Sequence, residues 1–128
     1  MNTQPHSVLL AEDEETMSVP LSETLKKAGY VVYNAANGEE GLRLALDKHP
    51  DIILSDLKMP KMGGLEMIQE IRKDAWGKNA EIIILTNIAD VSALEKIKDE
   101  GAFLYMIKSD SSMEDVLEKV KSRIKTAA

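Results

Sequence analysis

The chain has 128 residues, 44% apolar and 30% charged, which is the composition of one globular domain able to bury a core without disulfides or a structural metal. Cysteine is absent, and this excludes a disulfide framework, a thiolate zinc site and a cysteine nucleophile. The net charge of −6, from 16 basic and 22 acidic residues, repels phosphate backbones, so direct nucleic-acid binding is not expected and a bound cation is the better match.

A single domain is expected over residues 1–128, with its core at about 7–125 and fraying at the first few residues and at 125–128. The start, Met1-Asn2-Thr3-Gln4-Pro5-His6, lacks the basic and apolar stretches of a signal peptide, and no segment approaches the length of a membrane span. A cytoplasmic setting without membrane contact is expected. The basic residues Lys119, Lys121, Arg123 and Lys125 read as a solvated last helix favoured by its own dipole.

The first strand is predicted over 7–11 and runs into the acids Glu12-Asp13-Glu14-Glu15. A helix follows with Leu21, Leu25 and Ala28 on its apolar face and Gly29 as its stop. Pro20 is placed in its first turn, because further in it would break the hydrogen-bond ladder. The second strand is predicted over 30–35, and Leu42, Ala45 and Leu46 mark a helix that ends before Pro50. The third strand, 51–55, delivers Asp56 at its carboxyl end; Leu65, Ile68 and Ile71 then mark the third helix. The fourth strand, 81–86, ends in Thr86, and Val91, Leu94 and Ile97 mark a helix capped by Asp90 and stopped by Gly101. The fifth strand, 102–108, ends in Lys108, and a capping box over residues 111–114 precedes the helix of Val116, Leu117, Val120 and Ile124.

Strand and helix thus alternate five times, and near-continuous apolar strands such as Ile82-Ile83-Ile84-Leu85 belong to a sheet covered on both faces. The fold class expected is α/β: a doubly wound, five-stranded parallel sheet with five helices in a three-layer sandwich. Its common strand order is the flavodoxin-like 2-1-3-4-5. In that order the carboxyl ends of strands 1 and 3 meet at the crevice where such sheets bind ligands. Acids after a strand commonly form a solvated loop or a helix N-terminus favoured by the dipole, but Asp56 arriving beside Glu12 and Asp13 makes a set of carboxylates that is relieved by a proton or a cation. Oxygen ligands with room for water suit Mg2+. Thr86 and Lys108 open onto the same crevice, and a hydroxyl and an ammonium facing a carboxylate are groups that hold a transferring phosphoryl, with Asp56 as nucleophile. His6 and His49 lack partners at metal-ligand spacing, and Trp76 reads as a packing cap in a polar turn.

From about Val8 to Ile124 the chain resembles a response-regulator receiver domain, the phosphoacceptor module of two-component signalling. The matching residues are Glu12-Asp13, Asp56 within Asp-Leu-Lys-Met-Pro-Lys-Met-Gly-Gly, Thr86 after Ile-Ile-Ile-Leu, and Lys108 after Tyr-Met-Ile. The resemblance implies that Asp56 accepts a phosphoryl group from a histidine kinase or histidine phosphotransfer protein. It also implies Mg2+ as cofactor, held by Asp13, Asp56 and the Lys58 main-chain carbonyl, with Glu12 reaching it through water. Thr86 and Lys108 would bind the phosphoryl group, and Tyr105 would be the switch aromatic. The response would appear on the face of helix 4, strand 5 and helix 5, near Ile88, Lys96, Tyr105 and Ser112, and would reach a downstream protein, an effector domain or a second copy of the chain. Such a protein is a phosphoacceptor with Mg2+-dependent self-phosphorylation and slow autodephosphorylation rather than a dedicated enzyme.

Three departures from the family pattern stand in the sequence. Ser109 takes the place of a proline often found in a cis peptide, Asn87 that of a small residue, and Glu12 that of the commoner aspartate. Lys58 and Ile88, at the positions flanking the attacking water, are neither acidic nor amide-bearing, which implies a long-lived aspartyl phosphate. A flavin carrier is disfavoured because Glu12 to Glu15 would repel the flavin phosphate. A phosphoaspartate hydrolase is disfavoured because Lys58 supplies no second acid or base. The remaining alternative is a receiver-shaped interaction module that is never phosphorylated.

Overall fold

The computed structural model describes residues 5–127. The expectations placed on residues 1–4, on the Lys125 side chain and on Ala128 lie outside the described residues. Five strands, β1 (Ser7–Ala11), β2 (Val31–Ala35), β3 (Ile52–Asp56), β4 (Ile82–Thr86) and β5 (Leu104–Ile107), form one parallel sheet in the order β2-β1-β3-β4-β5. Helices α1 (Glu15–Lys27), α2 (Gly38–Lys48), α3 (Gly64–Arg72), α4 (Val91–Gly101) and α5 (Met113–Ala127) connect and follow them. This is the expected doubly wound sandwich, with strand ends differing from the sequence reading by one or two residues. The difference matters at β3, where Asp56 is a strand residue rather than the first residue after one.

Alternate residues of the sheet feed two apolar layers. Leu9, Ile53 and Ile84 pack with Met67, Ile68 and Ile71 of α3 and with Leu94 of α4. Leu10, Leu54 and Leu85 pack with Leu21 and Leu25 of α1 and with Val116, Val120 and Ile124 of α5. Burying each such large side chain stabilises the fold by roughly 1.5–3 kcal/mol.

Several local expectations are corrected. Pro20 lies in the second turn of α1, not the first, because the helix begins as early as Glu15. The ladder carries on past it, and Thr24 Oγ1 donates to the Pro20 carbonyl at 2.9 Å. Gly29 is the stop as expected: at φ 99° it lets its own N–H reach Lys26 O and that of Tyr30 reach Leu25 O, satisfying carbonyls at the helix end. Ala28 there is exposed. In α2 the buried line is Gly38, Gly41 and Ala45 while Leu46 is exposed, because Gly38 lies against the Met62 backbone and Gly41 against the Met67 side chain, where a larger residue would not fit.

Asp90 does not cap α4 with its side chain. Ala102, not Gly101, takes the left-handed conformation after α4 at φ 50°, while Gly101 stays helical beside the Phe103 ring, which leaves no space for a Cβ. The capping box of α5 sits one residue later than expected, with Asp115 N–H donating to Ser112 Oγ at 3.0 Å and Ser112 N–H to Asp115 Oδ2 at 2.9 Å. The helix continues to Ala127, through residues expected to fray. Arg123 is not simply solvated, since its guanidinium binds Glu81 Oε2 at 3.0 Å and ties α5 to the segment entering β4. His49 stacks on Trp76 with centroids 4.5 Å apart, and His6 pairs with Asp51 at 3.3 Å.

Candidate functional site

At the carboxyl end of the sheet, β1 and β3 are neighbours in register, with Ala11 opposite Ser55, so the residues that follow Ala11 arrive beside Asp56. Glu12 N–H donates to the Ala35 carbonyl at 2.9 Å, which extends the β1 backbone and directs the Glu12 side chain into the crevice. Carboxylate oxygens of Glu12, Asp13 and Asp56 all lie within 4.8 Å of one another. Glu12 is only 4% exposed and Asp56 8%, while Asp13 stands at the open side.

Asp56 is fixed from three directions. Leu57 N–H donates to its Oδ1 at 2.8 Å, Lys108 Nζ lies 3.1 Å from the same oxygen, and Ser55 Oγ donates to its main-chain carbonyl at 2.8 Å. Gly64, the first residue of α3, brings its backbone against this turn: its N–H donates to Leu57 O, and a Cβ there would meet Asp56 O at 2.3 Å. Glycine is therefore needed for α3 to start so close to Asp56.

Lys108 projects from the end of β5 into the crevice, where Nζ lies 3.2 Å from Glu12 Oε1 as well as near Asp56. All peptide bonds among the described residues are trans, including the one to Ser109, and the lysine reaches both carboxylates with that backbone. Burial alone would depress its pKa, but the hydrogen bond and charge of Asp56, joined by Glu12, outweigh that and hold the ammonium above its ordinary range. The Glu12 pKa is raised too, but here burial is the main cause rather than the opposing one. Burial first, then its hydrogen bond with Asp56 and the charge of that group, push its carboxyl up from 4.5 to about 7, with Lys108 pulling part of the way back.

One buried oxygen of this set, Glu12 Oε1, has no hydrogen-bond partner despite its nearness to the ammonium. A buried oxygen that has the Lys108 ammonium at 3.2 Å, two further carboxylates within 4.8 Å and an exposed opening at Asp13 together form a donor set suited to a hard divalent cation with part of its water retained. The residues present therefore fit a metal.

Thr86 ends β4, the strand beside β3, and is buried with its Oγ1 donating to Asn87 O at 3.2 Å. Asn87 itself is exposed at the rim. The Lys58 ammonium crosses to Asp90 at 3.5 Å, the carboxylate that would otherwise cap α4, and Ile88 is 68% exposed. Tyr105 stands outside this cluster, with its hydroxyl donating to Glu95 on α4 and Lys98 pairing with the same side chain at 3.2 Å. That arrangement lowers the Glu95 pKa through the tyrosine bond first and raises that of Tyr105 for the same reason.

Glu12, Asp13, Asp56 and Lys108 are thus brought together, Thr86 adjoins them, and Tyr105 is held apart. Sequence reasoning missed Glu95, Asp90 as the partner of Lys58, and Arg72. The Arg72 guanidinium donates to the carbonyls of Gly77, Ala80, Gly101 and Ala102 and ties the end of α3 to the end of α4. An exposed helical Glu and a lone Arg carry no local signal of such partners.

A family model described as the response regulator receiver domain matches residues 8–121. Over 124 residues the chain is 35% identical to a transcriptional regulatory protein, PdtaR, of Mycobacterium tuberculosis, covering 94% of this chain and 59% of that one. It is 29% identical to the sporulation initiation phosphotransferase F of Bacillus subtilis, covering 79% and 80%. A chemotaxis response regulator of Vibrio cholerae superposes with a TM-score of 0.84 at 30% identity, covering 94% and 99%. The chain spans about half the length of several other curated relatives.

The chain belongs to the response-regulator receiver domains. Such domains work in two-component systems, where phosphorylation-dependent signalling links kinases or phosphotransfer proteins to effectors. No helix among the described residues is long and apolar enough to cross a membrane.

Proposed function

We propose that Asp56 is the phosphoacceptor of this receiver and that its phosphorylation is relayed to the face formed by α4, β5 and α5. The observation that carries the proposal is the approach of Lys108 Nζ to within 3.1 Å of a nearly buried Asp56 that sits within 4.8 Å of two more carboxylates. The donor would be a histidine kinase or a histidine phosphotransfer protein. An Asp56 carboxylate oxygen attacks phosphorus, the O–P bond forms as the bond to the donor breaks, and the donor leaves with its electron pair.

Leu57 N–H and Lys108 orient the attacking carboxylate, and Lys108 offsets charge on the phosphoryl oxygens as they approach. Thr86 is the hydroxyl that would bind the attached group. Asp13, Asp56 and the Lys58 main-chain carbonyl would hold Mg2+, with Glu12 behind them through water. When bound, the ion supplies positive charge against the carboxylates and the transferring phosphoryl group.

With Lys58 turned to Asp90 and Ile88 apolar, no side chain at these two positions activates a water for hydrolysis, so a long-lived aspartyl phosphate belongs to the proposal. A histidine-kinase donor would act on the chain in the cytoplasm, and that setting belongs to the proposal. The output passes to a downstream protein or effector domain, or to a second copy through the α4, β5 and α5 face, with no nucleic acid bound directly.

Incubation with acetyl phosphate and Mg2+ tests the reading. The expected result is a mass gain of one phosphoryl group on the peptide containing Asp56, lost on chelation or in Asp56→Asn, and persisting well beyond seconds at neutral pH. Undiminished labelling of Asp56→Asn would refute the assignment of the acceptor, and loss within seconds would refute the slow hydrolysis.

A further inference from the structure

Tyr105 is paired in register with Ile84, and Ile84 and Thr86 project from the same face of β4, so the Tyr105 ring lies on the α4 side of the sheet in line with Thr86. It packs against the apolar layer that contains Ile84 and Leu94, leaving only its hydroxyl to be satisfied near the surface. Glu95 follows Leu94, the one buried residue of α4, and its carboxylate accepts the Tyr105 hydroxyl. Lys98, three residues on and so on the same side of the helix, lies 3.2 Å from the other oxygen of that carboxylate and fixes its direction. The bond therefore joins β5 to α4, and its acceptor is ionised, which makes it stronger than a neutral pair.

We propose that Glu95 is a positioning residue of the switch: by accepting the Tyr105 hydroxyl it latches the ring outward, and the latch must open before the ring can turn toward Thr86. This rests on the proposed roles of Asp56 and Tyr105. Thr86 Oγ1 is meanwhile bonded to Asn87 O, so in this state each end of the path from crevice to tyrosine has a local partner. Turning inward exchanges the Glu95 bond for whatever the phosphorylated crevice offers. A ligand shifts such an equilibrium only by its differential affinity for the two states, so the latch sets how much of the phosphoryl group's binding free energy goes into switching.

The test uses Glu95→Ala in the 128-residue chain, with the Tyr105 ring followed by NMR and affinity for beryllofluoride with Mg2+ measured alongside. Alanine is a better helix former and Glu95 is exposed, so the variant is expected to fold. Its free-state ring resonances should move toward those of the wild type saturated with beryllofluoride, and the affinity should tighten by about threefold to tenfold. Glu95→Gln keeps an acceptor and should fall between. Free-state resonances and affinity both matching the wild type would overturn the latch. If the wild type itself shows no beryllofluoride response, it is the phosphoacceptor reading that fails. The latch is then judged by the free-state rotamer alone, and an outward Tyr105 in Glu95→Ala refutes it.

Discussion

β3 and β5 are both short strands of one parallel sheet, yet they sit in different mechanical surroundings. Every residue of β3, from Ile52 to Asp56, is buried, whereas Leu104 of β5 is exposed and Tyr105 to Ile107 are only partly covered. The helices repeat the contrast: α3 buries Gly64, Met67, Ile68 and Ile71, and α4 buries Leu94 alone. The candidate nucleophile is therefore carried on a fully buried strand and the candidate switch on a partly exposed one. Local opening costs least where few apolar groups are buried, so a change of charge at Asp56 finds its softest outlet in α4 and β5. Arg72 confines this softness to one end of α4, since it fastens the carboxyl end through the carbonyls of Gly101 and Ala102, while the turn before α4 exposes Ile88.

Substitutions that equalise the two strands are the strongest way to break this comparison. Leu54→Ala on β3 should cost about 2–5 kcal/mol in denaturant unfolding, whereas Leu104→Ala on β5 should cost less than about 1 kcal/mol. Equal losses would remove the basis for the contrast.

The charged end of the rigid strand supplies the next test. The folded state holds a proton on Glu12 more tightly than the unfolded chain does, so stability in chelator should fall as the pH rises from about 4.5 to about 7. The fall attributable to this group is at most about 3 kcal/mol, since the carboxyl titrates together with Asp56 and Lys108. Glu12→Gln should flatten that part of the profile, and added Mg2+ should restore stability most at the alkaline end. A wild-type profile that rises through this window in parallel with that of Glu12→Gln would contradict the assignment. A smaller effect is expected from Gly64→Ala, where a Cβ placed 2.3 Å from Asp56 O must push α3 from the β3 turn at a cost of about 1–3 kcal/mol. Phosphorylation by acetyl phosphate should slow in this variant even where it remains folded, because the backbone that orients Asp56 has moved.

Much of this was legible in the sequence, for reasons of range. Apolar runs such as Ile82 to Leu85 and the strand-end residues Asp56, Thr86 and Lys108 are local signals, and a doubly wound order carries them to one crevice. The features that escaped depend on tertiary partners. Asp90 looks like a cap until Lys58 is seen 3.5 Å away, Gly101 looks like a helix stop until Phe103 fills the space beside it, and Ser112 rather than Ser111 caps α5 because Asp115 is its partner. Pro20 lies deeper in α1 than its sequence neighbourhood suggests because the helix already begins at Glu15, the last of the four acids after β1, and acids mark a helix start only loosely.

The proposed switch joins chemistry at the carboxyl end of the sheet to a response at its β5 edge. The most direct measurement is an amide resonance map of the protein with and without beryllofluoride and Mg2+. The expected result is large shifts at Asp56, Thr86 and Lys108 that continue through α4 and Tyr105, while the amides of β1 and of Ile52 to Leu54 stay in place. Shifts confined to the crevice, or spread evenly over β3 and β5, would contradict it.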